Sequence, residues 1–337
     1  MDIRAWAPGR VNLIGEHTDY TGGLVFPMAI HLGTAVEGRR LDGRIVLRSE
    51  SEADPLDLAL PIADAASVDP PWGRYVAGVA AALGTTTGLD GVVSSTLPLG
   101  AGLSSSAALE VAVALALGAG ESRTPLEVAR LARAAEEAAT GVPCGIMDQL
   151  ASACGLDGHA LLVDCATSEI TPVRLPDDVR IVVIHSGQER RLADSAYERR
   201  RRQCEAAAAI IGPLRDASAE DVDRIDDDTL RRRARHVITE NARVLAFASA
   251  LGAGDLVEAG EAMVDSHRSL RDDFEVSTDV LDDLVAHLLT VDGVYGARLT
   301  GAGFGGCVVA MCRPDVDPTP PGRRGWVVRP SRGAHLA

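Results

Sequence analysis

The sequence predicts a two-domain protein of mixed α and β structure, and three observations lead to this prediction. The chain has 337 residues, which is long for one hydrophobic core and suggests about two domains. Strand-like runs alternate with longer segments in which apolar residues recur every three or four positions. Glycine-rich loops separate several of these segments. Periodicity alone does not choose between a parallel and a mixed sheet.

The predicted strands are short runs rich in β-branched residues. They cover residues 35–36, 45–47, 92–96, 161–163, 181–184 and 308–311. The predicted helices cover residues 107–118, 125–139, 195–211, 230–251 and 280–289. Four prolines within 314–321 argue against a helix or a central strand there. The composition changes near 176–178 from glycine-rich loops to arginine-rich helices, so we expect domains of 1–175 and 176–337.

The composition excludes several classes of function. The net charge of −15 argues against broad binding to nucleic acid or to anionic membranes. All 33 basic residues are arginine, so a P-loop lysine and a Schiff base are excluded. The six cysteines include no Cys-x-x-Cys pair and are expected to be buried thiols. No apolar run has the length of a membrane span or of a signal-peptide core, so we expect a cytoplasmic protein.

Residues 98–108, with the sequence PLGAGLSSSAA, follow a predicted strand and open a predicted helix. Small residues allow a ligand to approach the backbone, and a helix N-terminus offers free amides and a partial positive charge. This combination binds phosphate without a lysine. The serine hydroxyls are suited to bind Mg²⁺ or to cap the helix. The alternative is an ordinary capped helix after a flexible turn.

Three further clusters carry polar or glycine-rich sequences. Residues 9–20 (GRVNLIGEHTDY) suit hydrogen bonding to a polyhydroxylated ligand, and the alternative is a solvated loop. Residues 301–306 (GAGFGG) either line a ligand or join two strands. In residues 141–149, Asp148 has apolar neighbours, so its carboxylate needs a cationic partner or a proton. A structural N-cap is the alternative for this aspartate.

Together these four clusters resemble the galactokinases, within the wider family of galacto-, homoserine, mevalonate and phosphomevalonate (GHMP) kinases. The phosphate loop and residues 301–306 resemble the wider family. Residues 9–20, with Gly23 and Pro27 beyond them, resemble the galactokinase signature itself, and the resemblance runs from about Ala7 to Met311. It implies an α+β fold of two lobes. The N-terminal lobe would carry the phosphate loop, the C-terminal lobe would be ferredoxin-like, and the active site would lie between them.

The resemblance also implies roles for individual residues. Arg10 and Asp148 match the catalytic pair beside the reacting hydroxyl. The matched sugar-binding positions are Glu16, His17, Asp19, Gly145 and Tyr197. The matched ATP-binding positions are Trp72, near the adenine, and Gly100, Gly102, Leu103, Ser104, Ser105 and Ser106. The matched Mg²⁺ ligands are Ser105 and Glu136.

The implied activity is transfer of the γ-phosphate of ATP to the anomeric hydroxyl of galactose, with Mg²⁺ as cofactor. Galactose and ATP are the expected partners, without nucleic acid or membrane, and a monomer is expected. One alternative is a related kinase that acts on an amino sugar, arabinose or a uronic acid. Another is a non-catalytic sensor of galactose and ATP, which would lack a catalytic residue or carry an insertion near Asp148. Galactokinases usually carry a few dozen residues ahead of the signature, whereas in this sequence the signature begins at Ala7. This departure from the family pattern removes none of the matched residues.

Overall fold

The computed structural model describes residues 2–98, 100–188 and 193–337. Its strands are β1 (Asp2–Asn12), β2 (Leu24–Val25), β3 (Pro27–Asp42), β4 (Arg44–Ser49), β5 (Leu56–Ala59), β6 (Thr87–Ser95), β7 (His159–Asp164), β8 (Glu169–Arg174), β9 (Arg180–His185), β10 (Val294–Thr300), β11 (Cys307–Cys312), β12 (Gly325–Val328) and β13 (His335–Leu336). Its helices are α1 (Gly73–Leu83), α2 (Ser105–Ala116), α3 (Pro125–Thr140), α4 (Met147–Cys154), α5 (Ala193–Ile211), α6 (Asp228–Ala253), α7 (Leu256–Asp272) and α8 (Asp279–Leu288).

The N-terminal lobe is built on a six-stranded sheet in the order β13-β1-β3-β6-β4-β5. Its strand pairs are antiparallel except β4 and β6, which run parallel, so the sheet is mixed. Helices α1 to α4 share one apolar core with this sheet. Within that core α2 is buried along most of its length, because nearly all of its residues are small or apolar. The phosphate loop therefore leads into a helix that is firmly fixed in the lobe.

The C-terminal lobe is built on an antiparallel sheet in the order β10-β11-β9-β12. Strand β9 alternates between two cores: Ile181 and Val183 join one, and Val182 and Ile184 join the other. A strand buried on both faces reads as a continuous apolar run, which is why the sequence predicts it correctly. The chain order of strand, helices and two strands follows the ferredoxin-like pattern, with residues 313–324 in place of a second helix.

The predicted strands and helices all overlap observed elements. The strands β3 and β6 are longer than predicted: β3 covers Pro27–Asp42 where the sequence predicts 35–36, and β6 begins at Thr87 where the prediction begins at 92. The expectation that 314–321 holds neither helix nor strand is confirmed. The sequence analysis missed the helices α1, α4 and α7 and the strands β1, β2, β5, β8, β10, β12 and β13. Strand β1 escapes a propensity argument because a Pro-Gly pair, an ordinary turn signal, lies inside it.

The last strand returns to the first lobe. Strand β13 pairs with β1, with Leu336 opposite Ala5 and His335 opposite Trp6. The predicted division between 175 and 176 lies in the connection from β8 to β9 and stays a prediction. Among the helices that the structure describes, none is long and apolar enough to cross a membrane.

Helix α7 lies directly on strand β10 because glycines face each other at the contact. A Cβ atom added at Gly260 would lie 2.1 Å from the carbonyl oxygen of Tyr295, and one added at Gly296 would lie 2.4 Å from the carbonyl oxygen of Gly260. Both distances are far below van der Waals contact, and the obstacles are backbone atoms. The helix can therefore approach the strand this closely only without side chains at these positions.

We expect Gly260→Ala to lower the free energy of unfolding by about 1–3 kcal/mol, the usual cost of overpacking a closely packed contact. The matched control is Gly252→Ala in α6, where a Cβ atom would have its nearest neighbour at 3.9 Å. That control should be neutral or stabilising by up to about 1 kcal/mol, because alanine favours a helix over glycine. Denaturant unfolding of both variants measures the difference, and equal stabilities would contradict this account of the contact.

Candidate active site

One cavity between the lobes, of about 210 Å³, gathers the predicted catalytic and sugar-binding residues. The residues that line it are Arg10, Glu16, His17, Asp19, Glu136, Cys144, Gly145, Met147, Asp148, Tyr197, Gly301 and Ala302. Both predicted catalytic residues and all five predicted sugar-binding residues are in this set. Residues far apart in the sequence thus meet around a space with polar walls.

Arg10 and Asp148 form an ion pair in the lining of this cavity. The guanidinium of Arg10 donates from Nε to Asp148 Oδ1 at 2.7 Å, and its Nη2 lies 2.7 Å from the same oxygen. Its Nη1 donates to the carbonyl oxygen of Gly102 at 2.9 Å. Arg10 is buried, so the pair interacts in a medium of low polarity. The sequence expectation of a cationic partner for Asp148 is met by this arginine.

The backbone of β1 brings Arg10 to the phosphate loop. The β1–β3 pairing shifts register between Pro8 and Arg10, and the Arg10 amide donates to the carbonyl oxygen of Leu103 at 3.1 Å. A Cβ atom at Gly9 would lie 2.5 Å from the same oxygen. Glycine is therefore required where the strand touches the loop.

Asp148 is fixed from two further directions. It lies in the first turn of α4, where the helix dipole favours a negative charge. The hydroxyl of Ser104 donates to Asp148 Oδ2 at 2.5 Å. Ser104 reaches this position because its backbone is left-handed, with φ of 59°. Asp148 therefore lies within the first turn of α4 with both carboxylate oxygens hydrogen-bonded, and it is not the N-cap residue, which is Ile146.

Glu16 is a buried carboxylate held by the loop that follows β10. Its Oε1 accepts from the Gly301 amide at 2.7 Å and from the Thr300 hydroxyl at 3.2 Å. Arg298, which is fully buried, places Nη1 3.5 Å from the same oxygen. Residues 9–20 are therefore no solvated loop at this point. The glycine-rich loop, which the sequence left open as a hairpin, both joins β10 to β11 and lines the cavity.

His17 is held in a single orientation by bonds to the protein. Its Nε2 lies 3.2 Å from the carbonyl oxygen of Ala302, which can only accept, so Nε2 carries the proton. Its Nδ1 then accepts from the Tyr20 hydroxyl at 3.1 Å. Burial lowers the pKa of His17 to about 3, so the ring is neutral. The imidazole shapes the wall as a packed ring.

Asp19 carries an unusual charge state. Burial, followed by the negative charge of Asp148 and that of Glu16, raises its pKa to about 7. The carboxylate lies directly against Gly145, where an added Cβ atom would be 1.6 Å from Asp19 Oδ2. Gly145 is therefore needed to give Asp19 its place in the wall. The predicted sugar-binding glycine acts through the space that it leaves.

Tyr197 contributes an aromatic edge from α5. Its ring lies 5.3 Å from that of Tyr20 in a T-shaped arrangement and 5.8 Å from that of His17. Such a cluster packs favourably. The ring therefore belongs both to an aromatic cluster and to the cavity wall.

A second cavity, of about 640 Å³, lies on the other side of the Arg10–Asp148 pair. It is lined by Arg10, Gly100, Gly102, Ser104, Ser105, Ser106, Asp148, His185, Arg324 and Trp326. Five of the seven predicted ATP-binding residues are in this set. Leu103 is buried and is bonded through its backbone to Arg10. Leu99, part of the loop in the sequence analysis, lies outside the described residues.

Trp72 lines a third cavity, of about 300 Å³, together with Ser105 and Ser106. Its indole N–H donates to the carbonyl oxygen of Asp54 at 3.1 Å. The bond fixes the ring beside the serines. The predicted adenine-side tryptophan and the phosphate loop therefore border the same space.

Glu136 lies behind the loop in a strongly acidic neighbourhood. Its Oε1 accepts from the Ser106 hydroxyl at 3.0 Å and its Oε2 from Gln149 Nε2 at 2.5 Å. Burial and the charge of Asp148 raise the pKa of Glu136. Glu110 beside it is buried, its Oε1 has no hydrogen-bond partner among the described residues, and burial and the Glu136 charge raise its pKa.

These carboxylates suit a hard divalent cation. Carboxylate and hydroxyl oxygens are the ligands that Mg²⁺ prefers, and neighbouring carboxylates help to raise the pKa values of both Glu110 and Glu136. Among the described residues, no group of three or more His, Cys, Asp or Glu has the arrangement of a metal site. Mg²⁺ commonly takes one or two protein ligands, with water and phosphate for the rest. The resemblance implies Ser105 as a Mg²⁺ ligand, but Ser105 is exposed, and its neighbour Ser106 is the serine that contacts Glu136.

Sequence reasoning missed three contributions to the site. It did not assign the Ser104 hydroxyl to Asp148, the pairing of Ser106 with Glu136, or the contacts of Thr300 and Ala302. The left-handed residue that directs Ser104 has no signature in the sequence. The Gly-rich stretch 301–306 was the available signal for the last contact.

Three family models match parts of the chain. The galactokinase galactose-binding signature matches residues 2–40. The N-terminal domain of the GHMP kinases matches residues 74–156, and the GHMP kinase C-terminal model matches residues 247–319. These matches include the sugar-side cluster, the phosphate loop and the glycine-rich loop after β10.

Two galactokinases are similar to nearly the whole chain. That of Chloroflexus aggregans is 46% identical over 327 residues, which cover 91% of this chain and 83% of that protein. That of Homo sapiens is 46% identical over 337 residues, which cover 94% of this chain and 85% of that protein.

Solved structures agree on the fold. The crystal structure of Lactococcus lactis galactokinase complexed with galactose superposes with a TM-score of 0.92 at 33% identity, covering 99% of this chain and 95% of that one. The Methanococcus jannaschii mevalonate kinase superposes with a TM-score of 0.70 at 19% identity, covering 98% of each chain, and shows the shared fold. Because relatives 46% identical extend over more than nine-tenths of the chain, the chain belongs to the galactokinase family of the GHMP kinases.

Proposed function

We propose that this protein is an ATP-dependent galactose kinase, which transfers the γ-phosphate of ATP to the anomeric hydroxyl of galactose and releases ADP. One observation carries the proposal: Arg10 and Asp148 line two cavities. The first, of about 210 Å³, contains the predicted sugar-binding residues and is called the sugar-side cavity. The second, of about 640 Å³, contains Ser104, Ser105 and Ser106 and is called the phosphate-loop cavity. An acceptor hydroxyl in the first cavity and a γ-phosphate in the second would therefore meet at this pair. The galactose-bound relative supports galactose as the sugar.

Asp148 is the proposed proton acceptor. The Arg10 guanidinium donates to one of its oxygens, and the Ser104 hydroxyl donates to the other. A carboxylate oxygen has two acceptor directions, so Oδ2 can receive a sugar hydroxyl beside Ser104. Phosphoryl transfer passes through a loose transition state, so positioning and charge neutralisation dominate catalysis. Arg10 supplies a positive charge at the boundary of the two cavities.

The phosphate groups would lie against the loop before α2. Gly100 and Gly102 have positive φ values, which expose the loop backbone, and the α2 N-terminus offers free amides. Glu136 and the Ser106 hydroxyl would hold Mg²⁺, which neutralises charge on the phosphate oxygens. The family resemblance implies Ser105 as the ligand; we propose Ser106 because its hydroxyl is the one bonded to Glu136.

Galactose recognition would depend on Glu16 and Asp19, with Tyr197 closing the wall. The side-chain contacts that the described residues make with Glu16 all go to Oε1, which leaves Oε2 for a sugar hydroxyl. Galactose and glucose differ at one hydroxyl, and buried polar groups reject the epimer that leaves them unpaired. The expected monomeric state and cytoplasmic location stay predictions.

We expect Asp148→Asn to lower kcat by at least about 10²–10³-fold, because the amide cannot accept the proton. The galactose dissociation constant should change by much less, since the shape of the cavity is kept. Steady-state kinetics and calorimetric titration of galactose separate the two effects. Turnover near that of the wild type would refute the role of Asp148 as the base.

The two serines can be distinguished through the Mg²⁺ requirement. We expect Ser106→Ala to raise the Mg²⁺ concentration for half-maximal activity several-fold, since it removes the hydroxyl that contacts Glu136. Ser105→Ala is the matched control, one residue away in the same loop, and should shift it less. Glu136→Gln should raise the requirement as well. A larger shift in the Ser105 variant would return the ligand role to that serine.

Galactose affinity should depend on pH through Asp19. Its pKa of about 7 means that the carboxyl is partly protonated near neutral pH. Hydroxyl donors favour the ionised form, so galactose binding should release a proton and strengthen as the pH rises. One such group gives about a tenfold gain in affinity from pH 6 to pH 8. Calorimetry at both values tests this, and Asp19→Asn should show a much smaller change; a pH-independent wild-type affinity would contradict the assignment.

A further inference from the structure

The phosphate-loop cavity has a second wall, formed by the C-terminal lobe. On this side its lining includes His185 at the end of β9, Arg324 just before β12 and Trp326 within β12. The lobe that carries these residues contributes to the same space as the three serines of the loop.

The sheet fixes where Arg324 lies. Strand β12 pairs with β9, with Gly325 opposite Ile184 and Trp326 opposite Val183. The His185 amide donates to the carbonyl oxygen of Arg324 at 2.9 Å. These bonds hold the backbone of Arg324 beside the end of the buried strand β9, so the cavity edge is well defined on this side.

The guanidinium of Arg324 lies over the ring of Trp326. Its guanidinium carbon lies 5.3 Å from the centre of the Trp326 ring, within the range of a cation–π contact. The ring is half-buried and packs against the core that contains Ile181 and Val183. An exposed arginine on such a support loses less freedom when it binds an anion than an unsupported one.

Few cationic side chains among the described residues are available to a ligand in the phosphate-loop cavity. Residues 98–106 contain no cationic side chain, and the chain contains no lysine. Arg10 is committed to Asp148 and to the Gly102 carbonyl. Among the described residues of the lining, Arg324 is the guanidinium without a carboxylate partner. A triphosphate in this cavity needs positive charge from the protein in addition to Mg²⁺.

We propose that Arg324 is a phosphate-binding residue of the nucleotide site, supplied by the C-terminal lobe and oriented by Trp326. Guanidinium groups bind phosphate oxygens through paired N–H donors. The residue would bind the phosphate chain from the side opposite the loop amides. This inference rests on the proposed function, because it takes ATP as the ligand of the cavity.

The test compares Arg324→Gln with Arg323→Gln in direct binding of ATP, ADP and adenosine by calorimetry. Arg323 is the adjacent exposed arginine and does not line the cavity, so its variant controls for the loss of surface charge. Loss of a hydrogen bond between charged groups should weaken ATP binding about tenfold in the Arg324 variant. Adenosine binding should stay unchanged, because adenosine carries no phosphate.

Two further variants sharpen the test. Arg324→Lys keeps the charge and should recover part of the lost ATP affinity, and Trp326→Leu should weaken ATP binding less than Arg324→Gln does. Equal ATP affinities for the Arg324→Gln and Arg323→Gln variants, with a wild type that binds ATP, would overturn this inference and leave the proposed function standing. A wild type that fails to bind ATP would overturn both.

Discussion

The buried carboxylate of Glu16 ties the sugar-side segment of the N-terminal lobe to the loop after β10. A buried charge is costly unless it is paired and hydrogen-bonded, and here an amide, a hydroxyl and a buried guanidinium converge on one oxygen. The main chain of Glu16 is also held, since its carbonyl oxygen lies 3.1 Å from His236 Nε2 in α6. Moving the lobes apart would break these contacts and leave the charges of Glu16 and Arg298 without each other. The contacts therefore stabilise the shape of the cavity wall.

A second constraint acts on the reacting carboxylate. Asp148 is held by a cation from β1, a hydroxyl from the phosphate loop and the first turn of α4. Each of these contacts comes from a different element, so the position of the carboxylate depends on the relative placement of all three. The arrangement needs no flexible lysine, which agrees with a chain whose cations are all arginine.

Much of the fold and the membership of the site follow from the sequence, for reasons that differ between elements. Strand β9 is evident because both its faces are buried, and α3 because it has an apolar stripe and a capping box at Thr124 and Glu127. The sequence clusters identify the residues that meet in the cavity. They do not identify which serine faces Glu136, because that depends on the left-handed backbone of Ser104. Nor do they show that Thr300 bonds to Glu16, a contact across 284 positions in the chain.

The pairing of β13 with β1 bears on how the protein becomes folded. Strand β1 precedes the C-terminal lobe in the chain, yet one of its edges pairs with His335 and Leu336, which follow that lobe, and the Ala337 amide bonds to the Arg4 carbonyl oxygen on the same edge. On the ribosome, the growing chain therefore carries an open sheet edge until the C-terminal lobe has emerged, and an open edge invites pairing with other chains. The two lobes should thus reach their final state together, and a chain that stops before residue 335 should be more prone to aggregation than its intact cores would suggest.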